Sequence, residues 1–215
     1  MALKIGRITL GVAQTNCYFV YRDDTTDDDA EKRSVLVFDP ADRGDYIFQG
    51  LTDKGFKVAG ILLTHGHFDH IWGVERLTEL SGAKVYALDA ESELCESPSM
   101  NVSESVGRAC SIRPDELLKD GQEFEIDGIK GKVLATPGHT AGSCCYYFQE
   151  DNILISGDTL FQESVGRTDL PTGSMSLLIR SIKEKLMTLP EETMVYPGHG
   201  DVTSIGHEMQ YNPFL

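Results

Sequence analysis

The sequence predicts an α/β protein in which two sheets lie face to face with helices outside. Three observations lead there. Each half of the chain runs from strand-like segments into a helix. No repeat, linker or low-complexity segment separates the halves. The crowded segment Thr64-His65-Gly66-His67-Phe68-Asp69-His70 is delivered by an apolar strand and left by a helix, the strand-to-helix step of an α/β layer.

The elements follow in order. Residues 5–10, 17–21 and 35–38 read as strands, the third ending at Asp39-Pro40. A helix is expected over residues 45–54, stopped by Gly55, and residues 58–63 form the strand before the histidine cluster. A helix over residues 71–80 is expected from Ile71, Val74 and Leu77, ending at Ser81-Gly82, with residues 84–88 as the next strand. Residues 89–113 are the least regular part, since Pro98, Gly107 and Pro114 prevent long helices, and a substrate-shaping insertion is expected there. Strands resume at residues 122–126, 129–135, 143–148 and 153–156. Met175, Leu178, Ile179, Ile182 and Leu186 form the apolar stripe of a helix over residues 175–187, an ordinary core stripe. Residues 194–196 give a last strand before Pro197-Gly198-His199-Gly200, and residues 204–209 a short final helix.

Composition limits the function classes. At 215 residues, 40% hydrophobic and 25% charged, the chain matches an ordinary globular protein and is expected to form a single domain over 1–215. It has no apolar run of membrane-spanning length and its start lacks a signal-peptide core, so a cytoplasmic location is expected. A net charge of −15 repels nucleic-acid phosphates and disfavours that partner class. Part of the acidity lies in residues 23–31, between two strand-like runs, where a solvated hairpin tip is expected rather than a calcium loop. The five cysteines (Cys17, Cys95, Cys110, Cys144, Cys145) are odd in number and lack C-x-x-C spacing, as in a reducing compartment. Cys144-Cys145 lies in an apolar run, so at least one of the two is expected to be a small core residue.

The histidine cluster carries the chemistry. Imidazole nitrogen and carboxylate oxygen are ligands for zinc and similar divalent ions. In extended chain, side chains two apart point the same way, so His65 and His67 can grip one ion, leaving Asp69 and His70 for a second. Three more residues recur where an apolar strand ends in a glycine-bearing turn: His139 after Pro137-Gly138, Asp158 after Ser156-Gly157 and His199 after Pro197-Gly198. His207 lies outside this recurrence and is expected to be structural or exposed.

The ordered set His65-x-His67-x-Asp69-His70, His139, Asp158, His199 resembles the dinuclear pattern of the metallo-β-lactamase superfamily over nearly the whole chain. The resemblance implies a four-layer αββα sandwich with metals at one edge between the sheets. It implies that His65, His67 and His139 hold one divalent ion and Asp69, His70 and His199 the other, with Asp158 between them. Zinc is the expected metal, with iron or manganese as alternatives. Two divalent ions, two carboxylates and one bridging hydroxide leave roughly one positive charge, enough to keep a hydroxide ionised near neutral pH. Asp69 has a second expected duty, orienting that hydroxide or taking its proton as the intermediate collapses.

Within the superfamily the nearest resemblance is to short bacterial glyoxalase II. It rests on Gly157-Asp158-Thr159-Leu160-Phe161, on Gly166-Arg167-Thr168-Asp169-Leu170-Pro171, and on the tail from Pro197 to Asn212-Pro213-Phe214-Leu215. This implies hydrolysis of a small-molecule thioester, such as a 2-hydroxyacyl glutathione, by a metal-bridging hydroxide. Longer enzymes of that kind add a C-terminal helical region for glutathione, not expected here because the sequence reads only to Leu215, and carry an aromatic residue where Asp169 stands. Arg167 is therefore the candidate for the thiol carrier, or else it pairs with Asp169 to brace its loop. The sequence also resembles persulfide dioxygenases, including Gly166-Arg167-Thr168-Asp169, and would then hold a single iron through His65, His139 and Asp158. A hydrolase of a non-glutathione thioester or other ester, and a non-catalytic metal-binding protein, are the remaining readings.

Overall fold

The computed structural model describes residues 2–22 and 33–215, so the expected acidic tip at 23–31 falls outside the described residues. A first sheet of six strands has the order β1 (Leu3–Leu10), β2 (Thr15–Arg22), β3 (Arg33–Phe38), β4 (Phe56–Leu62), β5 (Lys84–Leu88) and β6 (Glu116–Leu118). The first three strands pair antiparallel and β3 to β6 pair parallel. The parallel steps need crossovers. Helices α1 (Gly44–Thr52) and α3 (Val74–Ser81) supply the first two. The second sheet runs β14 (Thr203–Ser204), β13 (Met194–Pro197), β10 (Ile153–Gly157), β9 (Cys144–Phe148), β8 (Ile129–Ala135) and β7 (Glu123–Ile126).

Strand alternation creates three apolar layers from two sheets. On β3, Leu36 and Phe38 enter the core between the sheets, where they meet Tyr146 and Phe148 of β9. Val35 and Val37 point the other way, onto Ile47, Leu51 and Leu77 of α1 and α3. On β9 and β10, Cys145, Tyr147 and Leu154 turn outward onto Leu178, Ile182 and Leu186. Helix, sheet, sheet and helix therefore stack as the expected αββα sandwich, and Cys144 and Cys145 are core residues on opposite faces. No helix among the described residues is long and apolar enough to cross a membrane.

The structure corrects the expected single helix over 71–80. Helix α2 (Phe68–Ile71) starts earlier and is separate from α3. The break is at Gly73, whose amide donates to Pro40 O at 2.8 Å; a Cβ there would lie 2.6 Å from the same oxygen. The stripe helix also divides, into α5 (Met175–Ser181) and a widened turn, Ile182–Leu186, with Met187 N bonded to Ile182 O. Residues 89–113 hold a tight turn, Asp89–Glu91, and α4 (Ser92–Glu96) before becoming irregular. A small hairpin of β11 (Leu160–Phe161) and β12 (Ser164–Val165) was not visible in the sequence pattern.

Candidate metal centre

Strand direction gathers the candidate ligands. β8 and β10 both run antiparallel to β9, and β10 is parallel to β13, so the C-terminal ends of β8, β10 and β13 share one edge. His139, Asp158 and His199 follow those ends; His65 and His67 follow β4, and Asp69 and His70 lie on α2. Hydrogen bonds between the sheets close this edge. The Tyr146 hydroxyl donates to Leu63 O and the Tyr18 hydroxyl to Pro197 O, each at 2.8 Å. Asn16 N donates to Gly198 O at 2.7 Å, and Cys144 N to Thr64 O at 2.9 Å. All seven expected ligand side chains meet here.

Two groups share the edge. His67 Nδ1 and His65 Nε2 lie 2.9 and 3.2 Å from His139 Nε2. Beside them, His199 Nε2 lies 3.3 Å from Asp69 Oδ2, and His70 Nε2 lies 3.6 Å from the same oxygen. Asp158 stands between the groups, with Oδ1 3.4 Å from His70 Nε2 and Oδ2 3.6 Å from His139 Nε2 and 3.4 Å from His199 Nε2. Asp158 comes this close to the turn because Gly198 has no side chain; a Cβ there would collide with Asp158 Oδ1.

Second partners fix the tautomers. Arg167 O can only accept, so His139 Nδ1, 2.7 Å away, carries the proton and Nε2 keeps its lone pair. Asp39 Oδ2 accepts from His70 Nδ1 at 2.9 Å and from the Thr64 hydroxyl at 2.6 Å. That hydroxyl, its proton committed to Asp39, accepts from His65 Nδ1 at 3.2 Å. Three imidazoles thus turn Nε2 to the interior. The outer-layer bonds hold the rings as metal ligands require.

Without a metal, burial prevails at two of the histidines, whereas neighbouring charges and hydrogen bonds outweigh it at His70, His199 and Asp69. His65 is held well below the usual imidazole range by burial and then by His70. Burial followed by the nearby His139 lowers His67 to about 3. On the other side burial also opposes His70, but Asp158 and Asp69 raise it. His199 rises to about 9, hydrogen bonds to Asp158 and Asp69 outweighing burial. Burial would lift Asp69, yet His70, His199 and the Thr15 hydroxyl hold it at about 2.

These features fit cations. A single proton satisfies one pair among the three facing nitrogens, whereas a metal ion satisfies all three. Buried His70 Nε2 and Asp158 Oδ1 have no hydrogen-bond partner, as expected of atoms reserved for coordination. Side-chain donors that could hold an ion converge as His65, His67 and His139; as His65, His70 and Asp158; and as Asp69, His70 and His199.

Two supporting acids escaped the sequence reading. Asp39 follows a strand end just as Asp158 does, and its φ of 48° marks a strained position held by the surroundings. Glu91 is buried in the stretch expected to be irregular. Burial pushes its carboxyl up to about 7, against hydrogen bonds from Gly66, Thr140 and Gly142. Arg167 adopts the bracing arrangement, Nε and Nη2 each 2.7 Å from an Asp169 oxygen. His207 is bonded to Glu163 at 3.0 Å and packs on Tyr211, away from the cluster.

The chain belongs to the metallo-β-lactamase superfamily, whose sequence model matches residues 10–199. It is similar to the probable metallo-hydrolase YqgX of Bacillus subtilis, 39% identical over 99% of this chain and 98% of that protein. It is also similar to the hydroxyacylglutathione hydrolase GloC of Haemophilus influenzae, 30% identical over 99% of this chain and 98% of that one. Among solved structures, the BLEG-1 B3 metallo-β-lactamase superposes with a TM-score of 0.90 at 39% identity, covering 99% of both chains. TTHA1623 in a di-iron-bound form superposes with a TM-score of 0.85 at 34% identity, covering 98% of this chain and 100% of its own.

Proposed function

We propose that this protein is a thioester hydrolase working with two divalent metal ions, its substrate a small acyl thioester of the 2-hydroxyacyl glutathione class. The observation that carries the reading is the convergence of seven donor side chains into two groups that share Asp158. His65, His67 and His139 would hold one ion, and Asp69, His70 and His199 the other. When bound, such ions supply a water acidic enough to ionise near neutral pH and a Lewis acid for the carbonyl under attack.

The chain's own residues do the rest. Thr15 donates to Asp69 Oδ2 at 2.8 Å and fixes the plane of that carboxylate. Held by Thr15 beside the two groups, the Asp69 carboxylate would orient the attacking water by accepting its hydrogen bond. His199, with 30% of its side chain exposed, is the most exposed of the seven donors, so substrate would approach from its side. A thioester suits the site because a thiolate leaves without a strong general acid. Arg167 would recognise an anionic thiol carrier by exchanging Asp169 for the ligand. The exposed pair is easily broken, since solvent and salt screen an ion pair held at the surface. The likeness to GloC over nearly the full length supports the thioester class.

Zinc, iron and manganese all suit the site, since histidine and carboxylate accept each, and a relative of 34% identity has a di-iron form. Iron also supports a second reading, the single-iron persulfide dioxygenase, because His65 and Asp158 lie 3.2 and 3.6 Å from His139. Metal quantitation beside a substrate panel tests both. Lactoylglutathione hydrolysis, followed by thioester absorbance with two metals per chain, is the expected result. Oxygen uptake with glutathione persulfide and one iron would favour the second reading. Turnover of a chromogenic β-lactam alone would move the chain toward the activity named for BLEG-1.

A further inference from the structure

Glu91 is a charged side chain buried to 1% exposure, outside the ligand set, whose partners are all loop atoms beside the histidines. Its Oε1 accepts from Gly66 N at 2.8 Å, the amide between His65 and His67. Its Oε2 accepts from the Thr140 hydroxyl and Gly142 N, each at 2.9 Å, in the loop that follows His139. One carboxylate therefore ties together two segments 72 residues apart, those of His67 and His139. Packing admits no slack. A Cβ on Gly66 would lie 2.6 Å from Cys95 Sγ, and one on Gly142 would collide with the Glu91 backbone.

We infer that Glu91 is the positioning residue of the three-histidine group, holding the His65–His67 loop and the His139 loop at the separation that lets their nitrogens share one ion. The inference rests on the proposed metal centre and adds to it a division of labour. Glu91 supports His65, His67 and His139, whereas Thr15 reaches the other group through Asp69. A buried carboxylate is a poor choice for stability alone, since an apolar side chain would fill the space without desolvating a charge. It is suited to geometry, because two oxygens can accept three donors in fixed directions. Glutamine at this position has the same length but offers one oxygen and one amino group. Whichever way it turns, either Gly66 N or Gly142 N faces a donor.

The test compares metal-stripped wild type and Glu91→Gln in a cobalt(II) titration under chelator-buffered free metal. Visible absorbance and metal content are the readouts, and circular dichroism checks folding of the metal-free chains. His67→Ala identifies which step belongs to the three-histidine group. Glu91→Gln is expected to weaken that step roughly 10–100-fold and dim its absorbance band, leaving any other step in place. A titration superimposable on wild type overturns the inference, as does equal weakening of every step, the sign of general loosening. If Glu91→Gln does not fold, Thr140→Val takes its place: it removes one donor and keeps the carboxylate, and the same two results decide. A wild type that takes up no cobalt defeats the metal-centre reading itself, before any variant is compared.

Discussion

At the scale of single residues, His67 separates chemistry from stability most cleanly. Replacing His67 with alanine removes one of three facing nitrogens, so turnover is expected to be abolished while the far-ultraviolet dichroism stays native. Near-normal thioester hydrolysis by this variant would count against the proposed mechanism. Arg167→Ala is expected to raise KM for an anionic thiol conjugate several-fold with little change in kcat; an unchanged KM would leave the guanidinium with its bracing role alone. A pH effect follows from His199. Raised to about 9 in the metal-free protein, it is protonated at pH 7.5, but it can bind metal only as neutral imidazole. Metal uptake at pH 7.5 therefore expels a proton, and affinity rises with pH through about 9. Calorimetry in buffers of different ionisation enthalpy reads this directly, and uptake without proton release at pH 7.5 would refute it. The ligand positions were legible because each is a His or Asp placed just after an apolar strand. Asp39 also follows an apolar strand but lacks the adjacent glycine that marks His139, Asp158 and His199. The carbonyl of Arg167, which orients His139, left no trace in the sequence, since every residue type has a carbonyl.

Among the elements, the C-terminal helix α6 (Ile205–Tyr211) explains what the family-like tail does. Buried Glu208 accepts from Glu163 N and from Asn212 Nδ2, each at 2.8 Å, and from the Thr203 hydroxyl at 2.5 Å. Asn212 also donates to Ser164 O at 3.1 Å. The helix thus clamps the β11–β12 hairpin, whose Phe161 packs toward His199 with ring centroids 6.2 Å apart. Glu208→Ala leaves buried donors unpaired and is expected to lower stability by about 2–3 kcal/mol, read as a fall in Tm of roughly 5–10 °C. A Tm within a degree of wild type would show that water replaces the carboxylate. The longer strands were legible through their alternation. The break at Gly73 was not, because its cause is Pro40, more than thirty residues earlier in the chain. The turn carrying Glu91 was illegible for the same reason: its meaning lies in partners 25 to 51 residues away.

At the scale of the whole molecule, a net charge of −15 surrounds a site proposed to receive an anion. Repulsion at long range slows encounter, and salt screens it, with a Debye length of about 30 Å at 0.01 M falling to about 8 Å at 0.15 M. For an anionic thioester kcat/KM is therefore expected to rise with ionic strength over that interval, whereas a neutral thioester should show a flat profile. A fall with salt for the anion would point to a local positive funnel instead. The sandwich itself was legible because both halves repeat the passage from strands to helix. How the layers meet was not, since Tyr18 and Tyr146 look like any other aromatic strand residues. Yet their hydroxyls cross from one sheet to the other beside the ligands. Neither half of the polypeptide owns a complete centre: four donors hang from the first sheet and three from the second. Ions seated there would staple the two leaves together along one seam, so that loading the protein also closes the book on its own spine.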